Sequence, residues 1–145
     1  MPSRTHIRRF SKEAAAGSID REINIWLGDR AATFNVPVYF SGRSHSRVMS
    51  ARLLNRTAIA AAAGNNWTFQ LTNRGTAGAG VGTLCSVPAD TATAAVAAYV
   101  AYDLAVDQNQ ELAINELLSF GATVAGGNPD DLADAVLQVV IRSDL

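Results

Sequence analysis

Residues 66–73 alternate in character without a break. Trp67, Phe69 and Leu71 are apolar, and Thr68, Gln70 and Thr72 between them are polar. Successive side chains of an extended strand point to opposite faces, so this run has one face for a core and one for water. A helix has a period of 3.6 and would scatter the same residues around its axis. The pattern recurs along the chain. Ile19, Ile23, Ile25 and Leu27 lie at odd positions ahead of Gly28-Asp29. Phe34, Val36, Val38 and Phe40 alternate with Thr33, Asn35, Pro37 and Tyr39 up to the Ser41-Gly42 turn. Proline has no ladder donor, so Pro37 marks this second strand as an edge or a bulge.

Further strands are expected over Thr83 to Val87, over Leu112 and Ile114, and over Leu118 to Val124. The last strand covers Val136 to Arg142. There Leu137, Val139 and Ile141 oppose Val136, Gln138 and Val140, and the two apolar faces suggest an inner strand buried on both sides. Two segments are ambiguous. Residues 46–60 read as a strand to Arg56 and a second piece over Thr57–Ala60, or as a helix over Arg47–Ala63, whose Ala, Leu, Met and Arg favour it. Residues 92–106 read as an Ala-rich loop and a strand from Tyr99 to Val106, with an Ala-supported helix as the alternative.

About eight short strands with frequent turn signals predict an all-β chain, an antiparallel β-sandwich of the jelly-roll kind. Its core would come from Phe34, Val36, Val38, Phe40, Trp67, Phe69, Leu71, Val100, Tyr102, Leu104, Leu118, Phe120, Leu137, Val139 and Ile141. At 145 residues the chain is one domain's length, and roughly 68–70% of its unfolded surface would be hidden on folding. Residues 1–18 are set apart as an N-terminal arm, with the sandwich over 19–145. The arm mixes Arg4, Arg8, Arg9 and Lys12 with Ile7 and Phe10, and has no apolar period. It reads equally as a frayed terminus or as a segment that orders on a partner, with Ile7 and Phe10 as anchors. Binding of its four positive charges to nucleic-acid phosphates ranks below both.

Charge is distributed unevenly. Residues 1–74 hold eleven of the twelve bases and four of the thirteen acids, and residues 75–145 hold Arg142 and nine acids. Pairing within the chain is favoured over a head-to-tail contact between copies. With 48% hydrophobic and 17% charged residues, the chain is neither a disordered polymer nor a membrane span. No apolar run follows the first charged residues, so no secretory signal is expected. The lone Cys85 excludes an intrachain disulfide, fits assembly in a reducing cytoplasm, and reads as a small core residue.

Chemistry-bearing patterns are sparse. His6 and His45 are too few for most metal sites, and neither H-x-x-x-H nor C-x-x-C spacing occurs. Ser44 and Ser46 flank His45, but neighbours in sequence do not form a triad and no G-x-S-x-G is present. The Gly75–Gly82 loop has four glycines but no lysine, and it leads into a strand, so it is not a phosphate cradle. Asp130, Asp131 and Asp134 lack EF-hand spacing and read as a solvated acidic turn. The sequons at Asn55 and Asn66 are incidental without secretion. No enzyme activity and no cofactor are expected. Arg43, His45 and Arg47 form a small cationic patch suited to carboxylates. The interface candidates are therefore Ile7, Arg8, Arg9 and Phe10 in the arm, and Arg43, His45 and Arg47 in the loop.

The run from Trp67 to Gly75 (WTFQLTNRG), then Gly78-Ala-Gly80, an Ala/Thr-rich connection, Tyr99 to Leu104, Gly126-Gly127 and Leu137-Gln-Val-Val-Ile-Arg142 resembles the small β-sandwich structural proteins encoded near tailed-phage capsid genes, including decoration (cement) proteins. The resemblance covers roughly three quarters of the chain. Asn115-Glu116 stands where the family usually has a Gly-Asp turn, and residues 1–31 lie outside it. The resemblance implies a subunit on the outside of a virion. It would be assembled in the host cytoplasm, bound to the major capsid protein and self-associating, often as a trimer. Other readings are a head-fibre, tail or baseplate component, or a carbohydrate-binding sandwich with Trp26 and Tyr39 as its aromatic platform.

Overall fold

The computed structural model describes residues 17–79, 82–83, 89–91, 95–126 and 130–144. Among them are ten strands and no helix. Six are long: β1 (Ser18–Arg30), β2 (Phe34–Phe40), β3 (Ser46–Leu54), β4 (Asn66–Asn73), β9 (Leu117–Ala125) and β10 (Leu132–Asp144). Four are two-residue pieces: β5 (Gly82–Thr83), β6 (Ala89–Asp90), β7 (Tyr102–Asp103) and β8 (Glu111–Leu112). One sheet runs β1-β10-β3, with β7 and β8 both pairing the far side of β3. The other runs β2-β9-β4, with β5 and β6 both pairing β4. Every ladder is antiparallel. If β5–β6 and β7–β8 are each taken as one broken strand, eight strands form two interleaved four-stranded sheets, which is a jelly roll.

The core lies between the sheets. Phe69 stacks on Trp67 and Phe120 with ring centroids 6.2 and 6.1 Å apart, and meets Tyr102 of the opposite sheet edge-on at 6.0 Å. Phe34 approaches Trp67 at 6.3 Å and Phe120 at 6.1 Å. Trp67, Phe69, Leu71, Leu118, Phe120, Leu137, Val139 and Ile141 are fully buried, as their alternation predicts. The Trp67 indole N–H donates to the Asp130 carbonyl at 2.8 Å, so its polar edge is satisfied.

Several expectations need correction. As Pro37 leads one to expect, β2 is an edge strand with a bulge between Pro37 and Tyr39, but the bulge has a consequence for the core. The bulge shifts the alternation by one residue, and such a shift exchanges faces. Tyr39 therefore turns inward and Phe40, expected in the core, is 58% exposed. Val100 is also exposed. The expected strand over 99–106 shrinks to β7, because Tyr99 and Ala105 take left-handed φ values of 58° and 49°, which break a strand. Gly28 does not end β1. At φ 69° it sits in a bulge and the strand continues to Arg30.

β3 stops at Leu54, two residues short of Arg56. The Asn55 side chain takes over there, donating to the Thr57 carbonyl at 2.8 Å and accepting from Ala133 N–H at 2.7 Å. The expected piece at 57–60 is a single bridge, Ile59 to Val96. β10 is an inner strand, but its second face, Val136, Gln138 and Val140, is half-buried on an outer surface. Of the expected strand at 83–87, only Thr83 is among the described residues. Cys85 lies outside them.

Two predictions follow from the packing. Phe69→Ala should cost about 3–5 kcal/mol in chemical denaturation, because it empties the centre of a fully enclosed aromatic cluster. Gly126 (φ 82°) faces the Gly64 carbonyl so closely that a Cβ would enter that backbone, whereas Gly78 (φ 80°) has nothing within 4 Å of one. Gly78→Ala should therefore cost about the 1–2 kcal/mol of left-handed backbone alone, and Gly126→Ala clearly more, read as the difference in urea midpoints.

Candidate interface

The open side of the sandwich is where β1 and β2, the long edge strands of the two sheets, face one another. A groove of about 380 Å³ lies there, lined by Ile19 and Arg21 of β1, Tyr39 and Phe40 of β2, and Ser143 and Asp144 of β10. Ile19 and Phe40 are both exposed in it. The groove floor is tied down by hydroxyls. Tyr39 Oη lies 3.1 Å from both Ser46 Oγ and Ser143 Oγ, which are 3.1 Å from each other. This triangle joins β2 of one sheet to β3 and β10 of the other. The Tyr39 hydroxyl is thus committed to the fold, and its ring packs against the core, so it provides no free aromatic platform.

Beside the groove is a second cleft of about 290 Å³, reached by His45, Arg47, Glu111 and Arg142. Arg43 and His45 belong to the turn after β2, while Arg47 is on β3. Glu111 of β8 pairs with His45 through Nδ1 and with Arg47 at 3.5 Å. The expected cationic patch is therefore partly neutralised by an acid that no local pattern connects to it; β8 reaches Arg47 only through the sheet, as the register partner of β3. Arg43 remains exposed at the turn. Ile7, Arg8, Arg9 and Phe10 lie outside the described residues.

Arg142 clasps Asp20 with two hydrogen bonds of 2.7 and 3.0 Å. That bond holds the Asp20 carboxyl below its usual range, against a smaller opposing effect of desolvation, and raises the Arg142 guanidinium further. Arg56 pairs with Asp134 at 2.7 Å. Asp130 Oδ2 accepts from Ala60 N–H at 3.1 Å, so two members of the acidic turn hold neighbouring chain. No group of three or more metal-ligating side chains occurs among the described residues.

The Asn115-Glu116 turn has its own logic. Asn115 takes φ 63°, a left-handed position that Asn tolerates better than most residues. The Glu116 carboxylate accepts from Ala113 N–H at 2.8 Å and Asn73 Nδ2 at 2.6 Å. Sequence reasoning missed Ile19 and Phe40 as surface residues. The only local signal was Pro37, which announced a bulge without saying which residue it would turn outward.

No family model matches the sequence, and no curated protein matches it. Among solved structures, the chain is similar to one from the "Structure of infectious bursal disease virus Gx strain", with 10% sequence identity and a TM-score of 0.37. The match covers 88% of this chain and 36% of that one, so this chain spans about a third of its length. The fold assignment rests on strand order and register, not on that likeness.

A pH prediction follows from the Asp20 clasp. A carboxylate with a lowered folded pKa adds stability above its unfolded pKa and loses it as pH falls through the folded value. Asp20→Asn should therefore lower the urea midpoint slightly at neutral pH. The gap should close below the ordinary carboxylate range near about 3.9 and shrink in high salt, because the pair is solvent-exposed.

Proposed function

We propose that this chain is a structural subunit of a virion that docks on the outer surface of an assembled capsid and stabilises it. The observation that carries the reading is the groove between the β1 and β2 edges, with Ile19 and Phe40 exposed at its two walls. Edge strands offer unpaired backbone groups, and a neighbouring protein strand or loop can satisfy them while covering these side chains. The jelly roll is an architecture of capsid subunits as well as of lectins, which is support by analogy of fold. Arginine-rich, pair-forming surroundings also suit a protein partner.

The mechanism is thermodynamic and involves no bond chemistry. A subunit that binds the assembled shell and not its dissociated parts shifts assembly by mass action, by about 2.7 kcal/mol per site at one hundred times its Kd. The major capsid protein is the proposed partner. The arm would extend the contact through Ile7 and Phe10, flanked by Arg8 and Arg9, while Arg43 at the rim would meet a partner carboxylate. Self-association, as a trimer for example, would let one subunit bridge several capsid proteins.

The test is co-sedimentation of the full-length protein with preassembled, expanded capsids of its virus. Saturable binding at micromolar concentration is expected, with Phe40→Ser weakening it about tenfold, or about 1.4 kcal/mol. Deletion of residues 1–16 reports the share carried by the arm. Absence of capsid binding at micromolar concentration would overturn the proposal.

A further inference from the structure

The outer face of the β1-β10-β3 sheet carries a feature that capsid docking does not use. Trp26, Val136 and Leu54 are register partners across three adjacent strands, so they form one apolar row. Trp26 is 73% exposed, and atoms of its indole lie 3.5–3.8 Å from where a Cβ on Gly28 would be, so the ring rests over that glycine. Covering Gly28 uses one side of the ring and leaves the rest in water. Beyond Leu54, Tyr99 N–H donates to the Asn55 carbonyl at 2.8 Å, which brings the backbone of a second aromatic residue, also 73% exposed, beside the β3 end of the row. With strands about 4.8 Å apart, three spacings separate the two ends by about 14 Å.

The row is one residue wide and polar on both long sides. On one side Asn24, Gln138, Arg52 and Asp103 are partners across four strands. Gln138 Nε2 donates to Asn24 Oδ1 at 3.3 Å, and Arg52 donates to Gln138 Oε1. These amides hold one another in position on a rigid sheet while retaining spare donors and acceptors. On the other side is the Arg56–Asp134 ion pair. Both signs stand beside the row. Arg52 and Arg56 lie among Asp103, Asp134, Asp29, which accepts from Asp134 N–H, and Glu22, which accepts from Asn24 Nδ2, so the strip has no cationic cluster for an anion and no single-sign field. Its apolar floor is also too narrow for the dry centre of a dimer interface, which needs about 800 Å² from each partner.

We propose that this strip binds a neutral, linear oligosaccharide. The C–H faces of the sugar rings would lie on Trp26 and Tyr99, and their hydroxyl edges would meet the Asn24–Gln138–Arg52 row. A sugar chain presents this combination, an apolar face with donors and acceptors along both edges. The site is remote from the β1–β2 groove in function and stands whether or not the chain docks on a capsid.

The test is titration of the full-length protein with neutral hexasaccharides of glucose, mannose, galactose and N-acetylglucosamine, followed by tryptophan fluorescence. Trp67 is fully buried, so the exposed Trp26 reports the event. At least one hexasaccharide should change the emission saturably at millimolar concentration or below. Trp26→Ala should abolish the signal and, by calorimetry, lower affinity about tenfold. Gln138→Ala should weaken binding while the indole still responds, and both variants should keep the wild-type urea midpoint. Two results would overturn the proposal: no response to any of the four sugars, or binding confined to sulfated glycans and lost with salt. A third is a fluorescence change that follows protein concentration alone together with a rise in sedimenting mass, which would make the face a contact between copies. Capsid co-sedimentation by Trp26→Ala separates this site from the docking groove, since it should remain at the wild-type level.

Discussion

Every ladder in the fold joins a strand from the first half of the chain to one from the second. β1 and β3 pair β10, β2 and β4 pair β9, and β3 and β4 take the short pieces β5 to β8 at their far edges. The molecule is thus a long hairpin, four strands out and four back, rolled until its two sheets face each other. No half has a sheet of its own, so neither can bury its apolar faces or satisfy its strand edges without the other. Core, charge balance and surface sites all inherit this dependence.

The charge distribution illustrates it. A basic first half and an acidic second half look like two surfaces awaiting partners. Rolling the hairpin sets Arg47 against Glu111 and Arg56 against Asp134, and the reverse pair, Arg142 with Asp20, lies across the β1–β10 ladder. Each pair is exposed and contributes little by itself. Their common effect is on register, because a slip between the halves would separate the paired charges and expose core residues together. Intrachain pairing, as the sequence suggested, absorbs part of the asymmetry.

Edges are where the fold meets its surroundings. β10, β9, β3 and β4 have neighbours on both sides, while β1 and β2 each have one, and both lie at the same opening. The bulges at Gly28 and after Pro37 twist these edges out of the regular ladder, a common protection against indiscriminate strand pairing. The same bulges decide what is displayed. One lays Trp26 over Gly28 on the outer sheet face, and the other turns Phe40 out and Tyr39 in. The two candidate surfaces of this protein are thus both products of interrupted alternation.

Local pattern was sufficient for strand β4, whose bounds coincide with the alternating run, and for the fully buried rows of Trp67, Phe120 and Leu137. A period of two is a property of the extended backbone, so uninterrupted runs identify strands and core faces without knowledge of the partners, and enough of them with frequent turns imply a sandwich. The sequence alone therefore determined an all-β chain and about half of its core, while the buried Val48, Ala51 and Leu53 of β3, and Leu27, Leu112 and Leu132, were not expected in it. Strand order, the pairing of His45 and Arg47 with Glu111, the outward turn of Phe40 and the assembly of the Trp26–Val136–Leu54 row were decided only by the tertiary structure. Each depends on which strand lies beside which and in what register, and those are contacts between residues tens to more than a hundred positions apart that no short window of sequence contains.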